Sequence, residues 1–189
     1  LHRVDRRQRQ MCIRDRRGIE LVVGQSPDFP EVFAIPYLQD WQELPTWFME
    51  YNQLREKSDV KRGIVMMHAP IFPDNEAPIY DYIASSDVAN MIDFPTLVAY
   101  GHIHDNAGMW QPVEGREVQI ANYGAISRGS LHTETIKRQP QVYIYNTDTG
   151  KHKAYNVPVR PAEEVFDLMT LKSKKDEVVR MTTFLDGVE

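Results

Sequence analysis

The chain has a single cysteine, Cys12, in 189 residues, which excludes an internal disulfide and a thiolate-built structural zinc site. A lone cysteine fits a reducing compartment, and a cytoplasmic location is the expectation. No apolar run approaches the ~20 residues that a helical membrane span needs, so no membrane is expected among the partners. The N-terminal residues also lack the apolar core of about 7–15 residues that marks a secretory signal. There is no internal repeat and no low-complexity tract. What remains is 42% hydrophobic and 26% charged residues, enough apolar material for one substantial core.

Charge is distributed unevenly. Residues 1–17 hold seven arginines against Asp5 and Asp15, a net of +5; with the whole chain at −5, residues 18–189 carry −10. An acidic body argues against a broad nonspecific nucleic-acid surface, although bound cations would reverse the field locally. The segment Leu1–Arg17 has neither helical nor strand periodicity. It reads as a disordered basic arm or, more strongly, as an artefact, because Arg3–Asp15 resembles translated sequencing adapter. On that reading the natural protein begins upstream and its N-terminal part is lost. Residues 1–17 are therefore set apart from a main domain over 18–158 and a following region or tail over 159–189.

Ile19–Val23 and Val32–Ile35 read as short strands. Pro45 opens a helix expected through Lys57, since proline at the first helical position gives up no hydrogen bond. Trp47, Phe48, Tyr51 and Leu54 fall on one face of it, the expected core face. Ile64–Met67 is a continuous apolar run bounded by turn signals, the pattern of a strand buried on both sides. A helix is predicted over Ser86–Ile92, with Ser85 or Ser86 as its N-cap. A second buried strand follows over Thr96–Tyr100. Beyond it, Met109–Val113 and Glu117–Ala121 flank Glu114-Gly115-Arg116 as one hairpin. Gln141–Asn146 and Lys151–Val157 flank Thr147–Gly150 as another. Ala162–Met169 reads as a helix. The fold class is α/β, with buried strands joined by helices first and antiparallel ribbons after them.

The most informative stretch is Gly101-His102-Ile103-His104, at the end of the second buried strand. A glycine at a strand end lets the chain turn tightly, so two histidines one residue apart can converge on a small volume. Neutral imidazole is the commonest protein ligand for transition metals. His68 follows the first buried strand directly, and in open α/β sheets ligands bind beyond the carboxyl ends of the strands. His68, His102 and His104 are thus candidate metal ligands, against the alternative that His68 is a satisfied interior polar group. His132 and His152 lie in polar hairpin contexts and read as surface residues.

His68 after a buried strand, followed by Gly101-His102-Ile103-His104, resembles the C-terminal half of the calcineurin-like metallophosphoesterase family. The resemblance implies an incomplete sandwich of two mixed sheets flanked by helices, with two divalent ions, manganese being the expected metal. It gives His68 and His102 to one ion and His104 to the other. The family's first motifs, Asp-X-His and Asn-His, are absent from this chain, and with them the bridging carboxylate. The catalytic residues are accordingly unknown. As it stands the chain is expected to bind metal weakly and to catalyse poorly, if at all.

Within that family the resemblance leans toward SbcD-type DNA repair exonuclease subunits. Ala34-Ile35-Pro36-Tyr37-Leu38 is similar to their Leu-Pro-Tyr strand, and Asn122–Ser130 resembles their Pro-Gly-Ser-X-X-Arg segment, with Tyr123 and Ala125 replacing the usual Pro and Ser. The closing hairpin before Val159-Arg160-Pro161 resembles the strands that precede their capping domain. The implied function is hydrolysis of DNA phosphodiester bonds, with DNA, an SbcC-type ATPase and a second copy of the chain as partners. Arg128 would contact a nucleic-acid phosphate or, equally, pair with the acidic body. Two other readings stand beside it: a small-nucleotide phosphodiesterase or phosphatase of the same fold, and a non-catalytic binding module.

Overall fold

Four short parallel strands carry the centre of the molecule's main sheet. The computed structural model describes residues 23–165 and 167, apart from 27, 39, 77 and 126–137. The strands are β1 (Gly24–Gln25), β2 (Val32–Ala34), β3 (Gly63–His68), β4 (Ile71–Phe72), β5 (Ile83–Ala84), β6 (Thr96–Gly101), β7 (Asn106–Trp110), β8 (Val118–Tyr123), β9 (Gln141–Tyr145) and β10 (His152–Asn156). Six of them form one mixed sheet in the order β1-β2-β3-β6-β8-β7, in which β2, β3, β6 and β8 run parallel and β1 is antiparallel to β2. β4 pairs with β5 in parallel, and β9 with β10 antiparallel, as separate two-stranded sheets.

The helices are α1 (Leu44–Glu56), entered through a 3-10 turn at Trp41–Glu43, then α2 (Ser85–Asn90) and a short α3 (Ala162–Val165). The chain is therefore mixed α/β, with few helices. Among the described residues no helix is long and apolar enough to cross a membrane.

α1 packs on one face of the sheet. Consecutive strand side chains point to opposite faces, and on the α1 side Phe33, Val65, Val98 and Ile120 lie in register across four strands, each at most 2% exposed. Phe33 meets Tyr51 at 5.5 Å and Trp47 at 6.3 Å between ring centroids. Burial of each such large side chain contributes roughly 1.5–3 kcal/mol. Tyr51 reaches across to the strand edge, where its hydroxyl and Thr96 Oγ1 are 2.7 Å apart; Thr96 itself donates to Phe94 O, so Tyr51 is the donor. Gly63 lies beneath that hydroxyl, and a Cβ there would overlap it.

Several expectations change in detail. The buried face of α1 is Leu44, Phe48, Tyr51 and Arg55, so Arg55 takes the place expected for Leu54; its guanidinium donates to Ser58 Oγ and Val60 O, which makes its burial tolerable. β3 is not buried on both faces. Met66 is 53% exposed, because it points away from the face on which α1 packs. α2 starts at Ser85, and neither serine is its N-cap. Asp74, eleven residues upstream, supplies the cap instead, its Oδ1 accepting from Ser86 N at 3.0 Å and Ser85 Oγ at 3.2 Å. At the other end of α2, Arg116 Nη1 donates to Ile92 O at 2.7 Å, placing a cation where the helix carbonyls point.

β8 joins β6 in parallel rather than lying only in an antiparallel ribbon. The β9–β10 hairpin forms as expected, closed by Asn146 Oδ1 accepting from Thr149 N. The described residues fall into two compact units. One comprises residues up to His102 together with Met109–Ala121, the other Ile103–Gly108 and residues from Asn122 onward. Residues 1–17, most of the strand expected over Ile19–Val23, and the part of the last expected helix beyond Asp167 lie outside the described residues.

Candidate metal-binding site

β2, β3 and β6 are adjacent and parallel, so their carboxyl ends share one edge of the sheet. β3 delivers His68 as its last residue, directly opposite Gly101 in register. Gly101 has no side chain to crowd the ring; a Cβ there would stand 3.3 Å from His68 Nδ1. One residue on, His102 adopts φ +110°, the one positive φ at a non-glycine residue among the described residues. Such a backbone costs about 1–3 kcal/mol and persists where the surroundings or the function require it.

The outcome is convergence of two imidazoles. His102 Nδ1 and His68 Nε2 are 3.2 Å apart, both rings are exposed, and they meet edge to face at 5.1 Å between centroids. As drawn, one nitrogen donates a hydrogen bond to the other. Two nitrogens bound to one ion at ~2.0–2.1 Å in tetrahedral geometry would lie roughly 3.3 Å apart. The separation of the two nitrogens is therefore close to that of two donors on one cation. Among the described residues no group of three or more His, Cys, Asp or Glu is assembled that could hold a metal ion, so two nitrogens are what this part of the chain offers.

His104 belongs to the second unit. Its side chain is exposed, and its carbonyl accepts from Ala125 N at 3.0 Å. The local loop is clamped by buried Asn122, whose Nδ2 donates to Ile103 O at 3.0 Å and whose Oδ1 accepts from Gly124 N at 2.7 Å. Asp105 pairs with Arg138 at 2.9 Å. In the same unit the Tyr123 ring stacks on Tyr143 at 3.6 Å, and burial, with the neighbouring Tyr143 and Tyr145, pushes its hydroxyl up to about 12. His152 is exposed on β10, in keeping with a surface residue. Arg128 and His132 lie outside the described residues.

One neighbour of the pair has no counterpart among the residues singled out as ligands. Tyr37, three residues past the end of β2, is 59% exposed and lies 5.9 Å from His68 between ring centroids. The sequence signal for it was the tyrosine following an apolar run and a proline. A groove of about 510 Å³ between α1 and the turn after α2, lined by Met49, Asn52, Glu56, Met91, Asp93 and Phe94 among others, shares no residue with the histidine pair. No family model, curated protein or solved structure matches the chain.

Proposed function

We propose that this chain is part of a metal-dependent phosphodiesterase, with DNA as the favoured substrate. The observation that carries the reading is the meeting of His68 Nε2 and His102 Nδ1 at the carboxyl edge of adjacent parallel strands, with His102 held in a strained backbone. A parallel-sheet edge is where α/β proteins bind ligands, and strain concentrates where function requires a side chain to be held. The motif likeness to calcineurin-like metallophosphoesterases supplies the reaction class and the expected sandwich of two sheets. The residues here would contribute two neutral nitrogen ligands.

When bound, divalent ions in such a centre neutralise the phosphoryl oxygens and lower the barrier to attack by water. The chain's own part is to hold His68 and His102 in one geometry, with Gly101 leaving room for the His68 ring. The motif likeness gives His104 to a second ion, and manganese is the proposed metal. An SbcC-type ATPase, a second copy of the chain and a phosphate contact from Arg128 belong to the DNA-repair form of the reading.

Calorimetric titration with Mn²⁺ tests it. Saturable binding is expected for the chain, with loss in His68→Ala and in His102→Ala while the far-ultraviolet circular dichroism is unchanged. Undiminished Mn²⁺ binding in either variant overturns the ligand assignment. Any Mn-dependent cleavage of DNA by the protein is expected to be lost in His102→Ala.

A further inference from the structure

The edge that carries the histidine pair carries more than nitrogen donors. β2, β3 and β6 lie side by side, and the chain beyond their carboxyl ends brings Tyr37, His68 and His102 into one row of rings. Tyr37 stands 5.9 Å from His68 with planes at 59°, His68 5.1 Å from His102 at 81°, and Trp41 6.3 Å from Tyr37 at 81°. Neighbouring rings at such angles restrain the orientation of an aromatic side chain. Tyr37 has two ring neighbours, yet it stays 59% exposed, whereas Phe33, Phe48 and Tyr51 in the core are at most 2% exposed. A large ring that is braced but left open to solvent beside a candidate phosphate-binding centre has the form of a stacking surface.

We propose that Tyr37 is a platform on which an unpaired nucleobase stacks while the adjoining phosphodiester faces His68 and His102. This deepens the phosphodiesterase reading and rests on it for the phosphate. It names the substrate class as single-stranded or frayed nucleic acid, because a paired base offers no free face. Every base has a π-face, so Tyr37 would bind without strong sequence preference. The platform explains how an acidic chain could hold an anionic strand: affinity would come from ring contact beside a locally cationic centre, not from a basic surface.

The test is fluorescence anisotropy of a labelled oligothymidylate against an abasic strand of equal length, each with Mn²⁺ present. The chain is expected to prefer the strand that has bases, and Tyr37→Ala to weaken that strand by about 5- to 100-fold, the range for loss of one base–aromatic stack. Tyr37→Phe keeps the ring and is expected to bind like the unaltered chain. Neither variant should change binding of the abasic strand. Equal affinity for both strands, no binding of either, or an equal loss for both in Tyr37→Ala overturns the proposal.

Thymidine monophosphate as competitor separates the sources of the base: weak competition indicates a strand, full competition a free nucleotide, and both support the platform. A Mn²⁺ titration of the same samples keeps the two readings apart. Mn²⁺ binding without base preference rejects the platform alone, and base preference without Mn²⁺ binding rejects the metal site alone.

Discussion

His68 Nε2 reaches His102 Nδ1 at 3.2 Å because their strands are parallel neighbours with His68 opposite Gly101, and because His102 turns at φ +110°. The register brings the rings to the same edge, and the turn at His102 accompanies their convergence. A residue with a Cβ pays for such a φ in stability, and glycine does not.

His102→Gly is therefore expected to be more stable than His102→Ala by about 1 kcal/mol, since both lose the ring and only alanine keeps the strain. Both should lose the Mn²⁺ affinity expected of the unaltered chain. Urea midpoints and calorimetry measured on the same preparations check this. Equal midpoints would show that the loop relaxes once the imidazole is gone.

At Gly63 the constraint is close approach, not φ. A Cβ would overlap the Tyr51 hydroxyl and stand 3.0 Å from its Cζ and 3.3 Å from Arg55 Nε. Gly63→Ala is expected to cost about 2–4 kcal/mol, through overpacking and loss of the Tyr51–Thr96 hydrogen bond. Adding Tyr51→Phe removes the overlapping oxygen and should recover part of that loss, giving a non-additive double-mutant cycle in urea unfolding. Strictly additive effects would disprove the contact.

Much of this was legible in the sequence. The strands at Val32, Ile64 and Thr96, the helix after Pro45 and the closing hairpin follow from apolar periodicity and turn residues, which are local signals. The meeting of His68 with His102 was legible only because both sit at strand ends that parallel pairing brings to one edge. What the sequence hid lies in side-chain partners and in which face of an element is covered. Arg55 replaces Leu54 on the buried face of α1 because nearby oxygens at Ser58 and Val60 accept its donors. Ser85 and Ser86 look like caps, but Asp74 arrives from across the β4–β5 loop. Met66 reads as core in an apolar run, yet it lies on the face away from α1.

Asp74 links that cap to pH. The Ser86 backbone N–H, then its hydroxyl, and more weakly Ser85, hold the Asp74 carboxyl below its ordinary value of 3.8. A depressed folded value means that the stabilisation is complete above the unfolded value and is lost as pH falls through the lower, folded one. Asp74→Ala is expected to cost about 0.5–1 kcal/mol at neutral pH, the usual scale of an exposed cap. The gap between the two urea midpoints should hold steady down to about pH 5 and then close as the solution is acidified. A gap independent of pH would mean that the carboxylate charge plays no part.

Tyr123 gives the opposite case at the alkaline end. Its hydroxyl is buried with no hydrogen-bond partner among the described residues, and its ring lies flat on Tyr143. Burial, and then the nearby Tyr143 and Tyr145, raise it from 10.0 to about 12. A raised folded value leaves stability untouched below the unfolded value, and stability falls as pH rises toward the folded one, because the unfolded chain releases the proton first. Near neutrality Tyr123→Phe is expected to match or slightly exceed the unaltered chain, since it removes an unsatisfied polar atom and leaves the stack in place. Between about pH 10 and 12 the unaltered chain should lose stability faster than Tyr123→Phe, the remaining tyrosines titrating equally in both. Absorbance at tyrosinate wavelengths, taken as the difference between the two proteins, should show one late-titrating phenol. Parallel stability curves across that window would show that the Tyr123 hydroxyl ionises freely in the folded chain.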